Sequence, residues 1–330
     1  MRAVVVAQAG GPERLEVRDV EIPMPGPGQV SIDVAYAGVN FAEVMGRRGQ
    51  IASIKPPFTP GLEVSGTVRA LGEGVSGLSP GEPVAAFTGV GGYAEVAVAD
   101  VRRVVRLRRG AGTVDAMLAA ALPTTIAAAV ALVDDIARVR AGEAVLVHAA
   151  AGSVGLALGQ LLKARGASLV VGIVGSREKA EVAQRHGYDR VVVRSEGWAE
   201  EARALTPEGY LAVFDSVGGP VRRVSFDLLR STGRLVAFGN ASGEPEIAFE
   251  SGELRATSRS VLGFSISTTS GADPEYTQGL WERTADLVVT SLVSLPLSGP
   301  HRLEDAPDLH RALEAGATTG KMIMRPSTAG

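Results

Sequence analysis

The chain has 330 residues, 45 % of them hydrophobic, a formal net charge of -3 and no cysteine. That length points to two domains with enough apolar content for a core in each; the missing cysteines exclude disulfides and thiolate metal sites, and His148, His186, His301 and His310 do not fall at a ligand spacing. The small net charge argues against general nucleic-acid binding, and no apolar run approaches a secretory core or the roughly 18 residues of a bilayer span, so the expectation is a soluble, cytoplasmic protein with no metal.

Residues 2–8 and 14–20 are strand-like runs separated by Ala9-Gly10-Gly11-Pro12, a hairpin-type turn. Residues 30–36 alternate apolar and polar positions like a half-buried strand, and further short strands are expected at 63–71, 83–87 and 93–98, bounded by glycine and proline turns. This pattern suits a small barrel. Arg102, Arg103, Arg106, Arg108 and Arg109 then form a basic cluster, read as a solvated face. From residue 113 to Ala137 the chain is alanine-rich and helix-friendly, interrupted by Pro123.

The centre of the sequence is Val145 to Gly155, a buried strand followed by a small-residue turn and a helix start. Laid over the dinucleotide fingerprint G-x-G-x-x-G it supplies Ala150, Gly152 and Gly155, so the first glycine is replaced while the backbone can still approach a pyrophosphate at a helix N-terminus. An ordinary glycine-bearing turn would read the same way, but the alternation beyond it carries more weight. Strands are expected at 168–173, 190–193, 211–215, 234–238 and 260–265, with helices at 178–186, 197–205 and 220–230. The fold class is therefore α/β with a doubly wound parallel sheet. After residue 272 two helical stretches, near 274–291 and 304–315, precede a last strand, Lys321 to Met324.

Cofactor choice can be argued from the end of the second strand of that sheet. An Asp or Glu there would bind a free 2′-hydroxyl, but the chain reads Gly172 to Lys179 with Ser176, Arg177 and Lys179 able to hold a phosphate, which favours NADP(H). These cations could also merely solubilise a helix start, where the dipole disfavours them.

The runs Gly38 to Glu43, Arg47-x-Gly49, Pro60 to Val68, His148 to Gly155, Asp215 to Gly219 and Phe238 to Asn240 together resemble the zinc-independent quinone oxidoreductases of the medium-chain dehydrogenase/reductase superfamily. The resemblance covers essentially the whole chain. It implies a GroES-like catalytic domain, 1–122 with 266–330, a Rossmann NADP(H)-binding domain, 123–265, and a homodimer. Zinc-dependent relatives place a cysteine near position 40 and a histidine near 62, where this chain has Asn40, Phe41 and Leu62.

By the same resemblance, Gly152, Ser153, Val154, Ser176, Arg177, Lys179, Arg194, Val217, Phe238, Gly239, Asn240, Phe264, Ile266 and Lys321 bind the cofactor together with Asn40 and Thr125. Phe238 and Phe264 could equally be core residues. Asn40 is the catalytic candidate, orienting the nicotinamide or donating to a developing enolate oxygen; asparagine also favours turns. Phe41, Met45, Ile51, Tyr93 and Thr125 are expected to line the substrate pocket, with Thr124 and Arg259 as further polar candidates. Met45, Ile51 and Ala128 stand where the family often has two tyrosines and a threonine, so solvent is expected to deliver the proton and the pocket to be more apolar. The expected activity is NADPH-dependent hydride transfer to a quinone or α,β-unsaturated carbonyl. Alternatives are an enoyl-type tailoring reductase of a secondary pathway and a nucleotide-binding module that has lost turnover.

Overall fold

Gln29–Gly38 is the longest strand, and its buried Val30, Ile32 and Val34 hold it in a core while its backbone pairs with three other strands. The computed structural model describes residues 1–110 and 112–327, and the chain divides into two units: Met1–Ala127 with Ser267–Gly330, and Ala128–Ile266.

In the first unit a seven-stranded sheet runs Leu297–His301, Lys321–Met324, Gln29–Gly38, Glu63–Leu71, Pro83–Phe87 and Val104–Arg106, with Val96–Asp100 paired to residues 29–33 of the long strand. Val4, Ile32, Val64, Val84, Met322 and Met324 share its core. The N-terminal hairpin forms as expected, Arg2–Val6 against Leu15–Asp19. The strand expected at 93–98 lies later, at Val96–Asp100, because Tyr93 follows two glycines and its carbonyl is taken by the Val4 N–H instead. Leu297–His301 was hidden by Gly299 and Pro300, and such residues are tolerated where the strand lies at the sheet edge.

Pro123 does interrupt the alanine-rich stretch, by widening it. The Ile126 N–H reaches back five residues to the Ala121 carbonyl, at 3.0 Å, rather than four.

The second unit is built on one six-stranded parallel sheet. Numbering strands along this unit, Ala144–His148, Leu169–Val174, Arg190–Val193, Tyr210–Asp215, Leu229–Ala237 and Ser260–Gly263 lie in the order third, second, first, fourth, fifth, sixth. The helices Ser153–Ala164, Arg177–Gln184, Trp198–Leu205 and Gly219–Asp227 form crossovers. A further helix, Ser251–Thr257, has no clear apolar period and went unforeseen. Leu146, Val171, Val213, Phe226 and Leu235 fill one of its core clusters.

Candidate active site

Because the six strands of the second unit are parallel, their carboxyl ends share one edge, and every residue of this unit expected at the cofactor follows one of those ends. Gly152, Ser153 and Val154 follow the first strand; Ser176, Arg177 and Lys179 the second; Arg194 the third; Val217 the fourth; Phe238, Gly239 and Asn240 the fifth; Phe264 and Ile266 the sixth. The first and fourth strands are neighbours, so the reversal of strand order falls beside the Gly152 turn. Helix Ser153–Ala164 starts with Gly152 as its N-cap, and its first N–H groups have no partner within the helix. A Cβ on Gly155 would collide with the Ala149 carbonyl oxygen and come within 2.8 Å of Ala150 Cα, so this position needs glycine for the helix to pack on the turn. The alanine at the first fingerprint position is accommodated because Gly172, on the neighbouring strand, leaves room for the Ala150 methyl.

Ser176 caps helix Arg177–Gln184, and its hydroxyl bonds Glu178, which holds that exposed carboxyl below its ordinary value. Lys179 is half-buried on the same first turn, and burial lowers its pKa. The fourth strand ends on fully buried Asp215, which accepts from the backbone N–H of Val217 at 2.7 Å and of Gly218 at 3.1 Å and pairs with Arg222 Nε at 2.7 Å. Arg222 also donates to the Gly239 carbonyl, tying the turns after the fourth and fifth strands together. His148, at the end of the first strand, bonds the Ser225 hydroxyl through Nε2 at 2.8 Å, and burial lowers its pKa to about 4, so it is a neutral packing residue.

In the first unit, strand register builds a second site. Ile323 pairs with Gly38 and Met324 with Ala37, so continuing the antiparallel register brings Lys321 to Asn40; Val64 opposite Ala37 sets Glu63 beside Gly38. Gly38 has to be bare there. A Cβ would lie 2.7 Å from Glu63 Oε1 and collide with the Ala120 carbonyl.

Fully buried Lys321 Nζ donates to Asn40 Oδ1 (2.6 Å), Glu63 Oε1 (2.6 Å) and Thr125 Oγ1 (2.9 Å). Asn40 Nδ2 donates to Glu63 Oε1 at 3.1 Å and Glu43 Oε1 at 3.2 Å. The widened turn at Pro123 leaves the Thr124 N–H for Glu63 Oε2, at 2.8 Å. Glu43 accepts from the backbone N–H of Asn40 (2.8 Å) and Leu62 (3.0 Å). Burial raises its pKa to about 7 against the opposing pull of Lys321 and these hydrogen bonds.

This arrangement commits the whole Asn40 side chain: both amide protons go to carboxylates, and Oδ1 accepts from Lys321 Nζ and, at 3.3 Å, from Thr125 Oγ1, so donation to an enolate oxygen requires one of these bonds to be exchanged. Tyr93 is corrected, as a pocket residue. Its ring is fully buried, its hydroxyl faces His310 Nε2 at 3.4 Å, and burial, followed by the charges of Glu43 and Glu63, holds its phenol well above the usual range. Arg259 is engaged elsewhere, lying over the Phe226 ring at 5.3 Å and donating to the Phe226 carbonyl at 3.1 Å.

Phe41 and Met45 stand four residues apart on the part-exposed face of helix Phe41–Arg47, and Ile51, also half-buried, follows the helix. The Thr124 hydroxyl is buried without a partner. The basic cluster is largely neutralised, with Arg102 on Asp100 (2.6 Å), Arg106 on Glu82 (2.7 Å) and Arg109 on Asp286 (2.7 Å).

Sequence reasoning passed over Glu43 and Glu63 as site residues. The spacing Asn40-x-x-Glu43, with the glutamate three residues into a helix, was a readable signal; the burial of Glu63 depends on a strand partner far along the chain and had none.

Two family descriptions match the chain: "Alcohol dehydrogenase GroES-like domain" over residues 26–109 and "Zinc-binding dehydrogenase" over residues 153–286. A quinone oxidoreductase of Pseudomonas aeruginosa is 33 % identical over 98 % of this chain and 99 % of its own length. Among solved structures, a mycobacterial protein in complex with NADPH is 31 % identical with a TM-score of 0.91, covering 99 % of this chain and 100 % of its own. The Escherichia coli quinone oxidoreductase in complex with NADPH is 26 % identical with a TM-score of 0.90, again over 99 % and 100 %.

Proposed function

The chain belongs to the zinc-independent quinone oxidoreductase family of the medium-chain dehydrogenase/reductase superfamily, and from that premise we propose that it is an NADPH-dependent reductase of quinones or α,β-unsaturated carbonyl compounds. One observation carries the cofactor choice. The second strand ends at Val174 and its Gly175-Ser176 turn carries no acid; Arg177 and Lys179 follow on a helix start, with Glu178 between them bonded to the Ser176 hydroxyl, and this placing of cations suits a 2′-phosphate. The residues present fit the rest of the group: a turn closed by Gly155, free N–H groups at a helix N-terminus for the pyrophosphate, and Arg194 after the third strand beside the adenine. When bound, NADPH supplies the hydride.

The protein's own part is positioning. In the second unit Val217, Phe238, Gly239, Asn240, Phe264 and Ile266 bound the nicotinamide side of the sheet edge; in the first, Asn40 is the orienting candidate, its amide held by Lys321, Thr125, Glu63 and Glu43. No side-chain acid serves as the proton source in this reading. Tyr93 is buried and Met45 and Ile51 carry no hydroxyl, so water protonates the product. Phe41, Met45 and Ile51 favour a bulky apolar acceptor over a small quinone.

Binding isotherms for NADPH and NADH, set beside NADPH oxidation with a panel of quinones and enones, test this. NADPH should bind at least ten-fold more tightly, with turnover on several acceptors. Equal affinities would refute the cofactor choice, and binding without turnover would favour the nucleotide-binding module. A cytoplasmic homodimer completes the reading. Ser260–Gly263 ends the sheet, and its outer edge, unpaired among the described residues, can join a second copy across a two-fold axis. A scattering mass near 34.0 kDa at micromolar concentration would count against the dimer.

A further inference from the structure

Three residues distant in sequence, Lys321, Thr125 and Glu63, converge on one amide beside its near neighbour Glu43. Asn40 Oδ1 accepts from the Lys321 ammonium at 2.6 Å, and Nδ2 faces Glu63 Oε1 at 3.1 Å and Glu43 Oε1 at 3.2 Å. Turned over, that amide would set its NH2 against an ammonium and its oxygen against two carboxylates. Charge therefore selects one face, and Glu63 contributes twice: it accepts from the amide, and it holds Lys321, at 2.6 Å, where Lys321 can donate to the oxygen.

We infer that Glu63 is a positioning residue, which acts through Lys321 to hold the Asn40 amide in one orientation, its oxygen towards Lys321 and Thr125 and its NH2 towards Glu63 and Glu43. Glu63 touches no reacting atom in this role; its backbone opens strand Glu63–Leu71, and both of its carboxylate oxygens are taken by Lys321, Thr124 and Asn40. Thr125 closes the cluster as a small acceptor for the third Lys321 proton. Glu43 completes the negative side while its backbone contacts anchor the helix start that carries Asn40.

The inference rests on the role of Asn40 proposed above, and the test separates the two. Side-chain amide signals of uniformly ¹⁵N-labelled protein identify Asn40 as the pair lost in Asn40→Ala. In wild type that pair should exchange slowly with solvent, and in Glu63→Gln its exchange should accelerate at least ten-fold. In kinetics, Glu63→Gln should lower kcat at least ten-fold while the NADPH Kd changes less than three-fold, and in an Asn40→Ala background the same substitution should change kcat less than two-fold. Should Glu63→Gln not fold, Glu63→Gln/Lys321→Met removes both charges and should show the same fast exchange, whereas Lys321→Arg should retain slow exchange and most of kcat.

An Asn40 signal indifferent to these changes overturns the inference whether or not the protein turns over. So does an effect on kcat that is undiminished without the Asn40 amide. A wild type that binds NADPH but reduces no acceptor defeats the proposed activity alone, since amide exchange still decides the role of Glu63.

Discussion

Each unit buries one ion pair beside its candidate chemistry, and the two are built differently. Arg222 and Asp215 are seven residues apart, at the two sides of one strand-to-helix turn; Lys321 and Glu63 are 258 apart and meet only when the last strand docks on Gln29–Gly38. The local pair has a partly open neighbourhood, because Arg222 also pairs with Glu246, whose side chain is 63 % exposed and can relax into water. The distant pair has none: Lys321 and Glu63 are both 0 % exposed, and buried Glu43 lies beside them. A pair within one turn shapes that turn, whereas a pair across the sheet makes the geometry of the site depend on closure of the whole unit.

Removing the cation from each pair should separate them most strongly. Lys321→Met leaves the buried Glu63 carboxylate, beside Glu43, with no counter-charge and should destabilise the first unit by about 3–5 kcal/mol. Arg222→Met leaves Asp215 with two backbone donors and should cost roughly 1.5–3 kcal/mol. Trp281 reports on the first unit and Trp198 on the second, so denaturant unfolding of single-tryptophan forms measures each loss in place. Equal losses would mean that the distance closed by the pair has no energetic consequence.

Acidity gives the next contrast. Glu43 keeps its proton to about pH 7 in the folded chain but loses it near the ordinary 4.5 when unfolded, so its favourable contribution is complete below pH 4.5 and is lost as pH rises towards 7, on the order of 3 kcal/mol in all. His148 and His310 run the other way. Burial lowers them from 6.5 to about 4 and about 3, so what they contribute is present above pH 6.5 and lost as pH falls through the folded values. Compared with Glu43→Gln, wild type should therefore be relatively more stable at pH 5 than at pH 8. Parallel pH profiles for the two proteins would show that Glu43 titrates normally.

Two smaller effects sharpen the division of labour between the units. Lys179→Ala should weaken NADPH binding about ten-fold, near the lower end for a charge-assisted contact, while NADH affinity stays the same; isotherms for both cofactors check it. A similar loss for NADH would place Lys179 away from the 2′-phosphate. Met45→Tyr should move kcat/KM by a few-fold from a bulky enone towards a small quinone, by returning a hydroxyl to the apolar helix face. An unchanged ratio would mean that residue 45 does not face the acceptor.

The sequence determined the second unit almost completely. Parallel buried strands are short, continuous apolar runs, and each cofactor candidate lies within a few residues of a strand end, so strands and candidates could be read together from local pattern, while the strand order came from the structure. Gly155 and the Arg177 and Lys179 cations after Ser176 belong to this class. In the first unit only the elements were legible, and not all of them: the capping spacing from Asn40 to Glu43 announced a helix start, but nothing local showed that Glu63 is buried or that Lys321 reaches it. Tyr93 illustrates the same limit, since a tyrosine between Gly92 and Ala94 could face a pocket or the core, and packing against His310 put it in the core. The register of antiparallel strands distant in sequence decided which charges would meet, and desolvation then fixed their hydrogen bonds and the protonation of Glu43. Neither is a property of any short stretch of chain, which is why only the tertiary structure shows which groups hold the Asn40 amide.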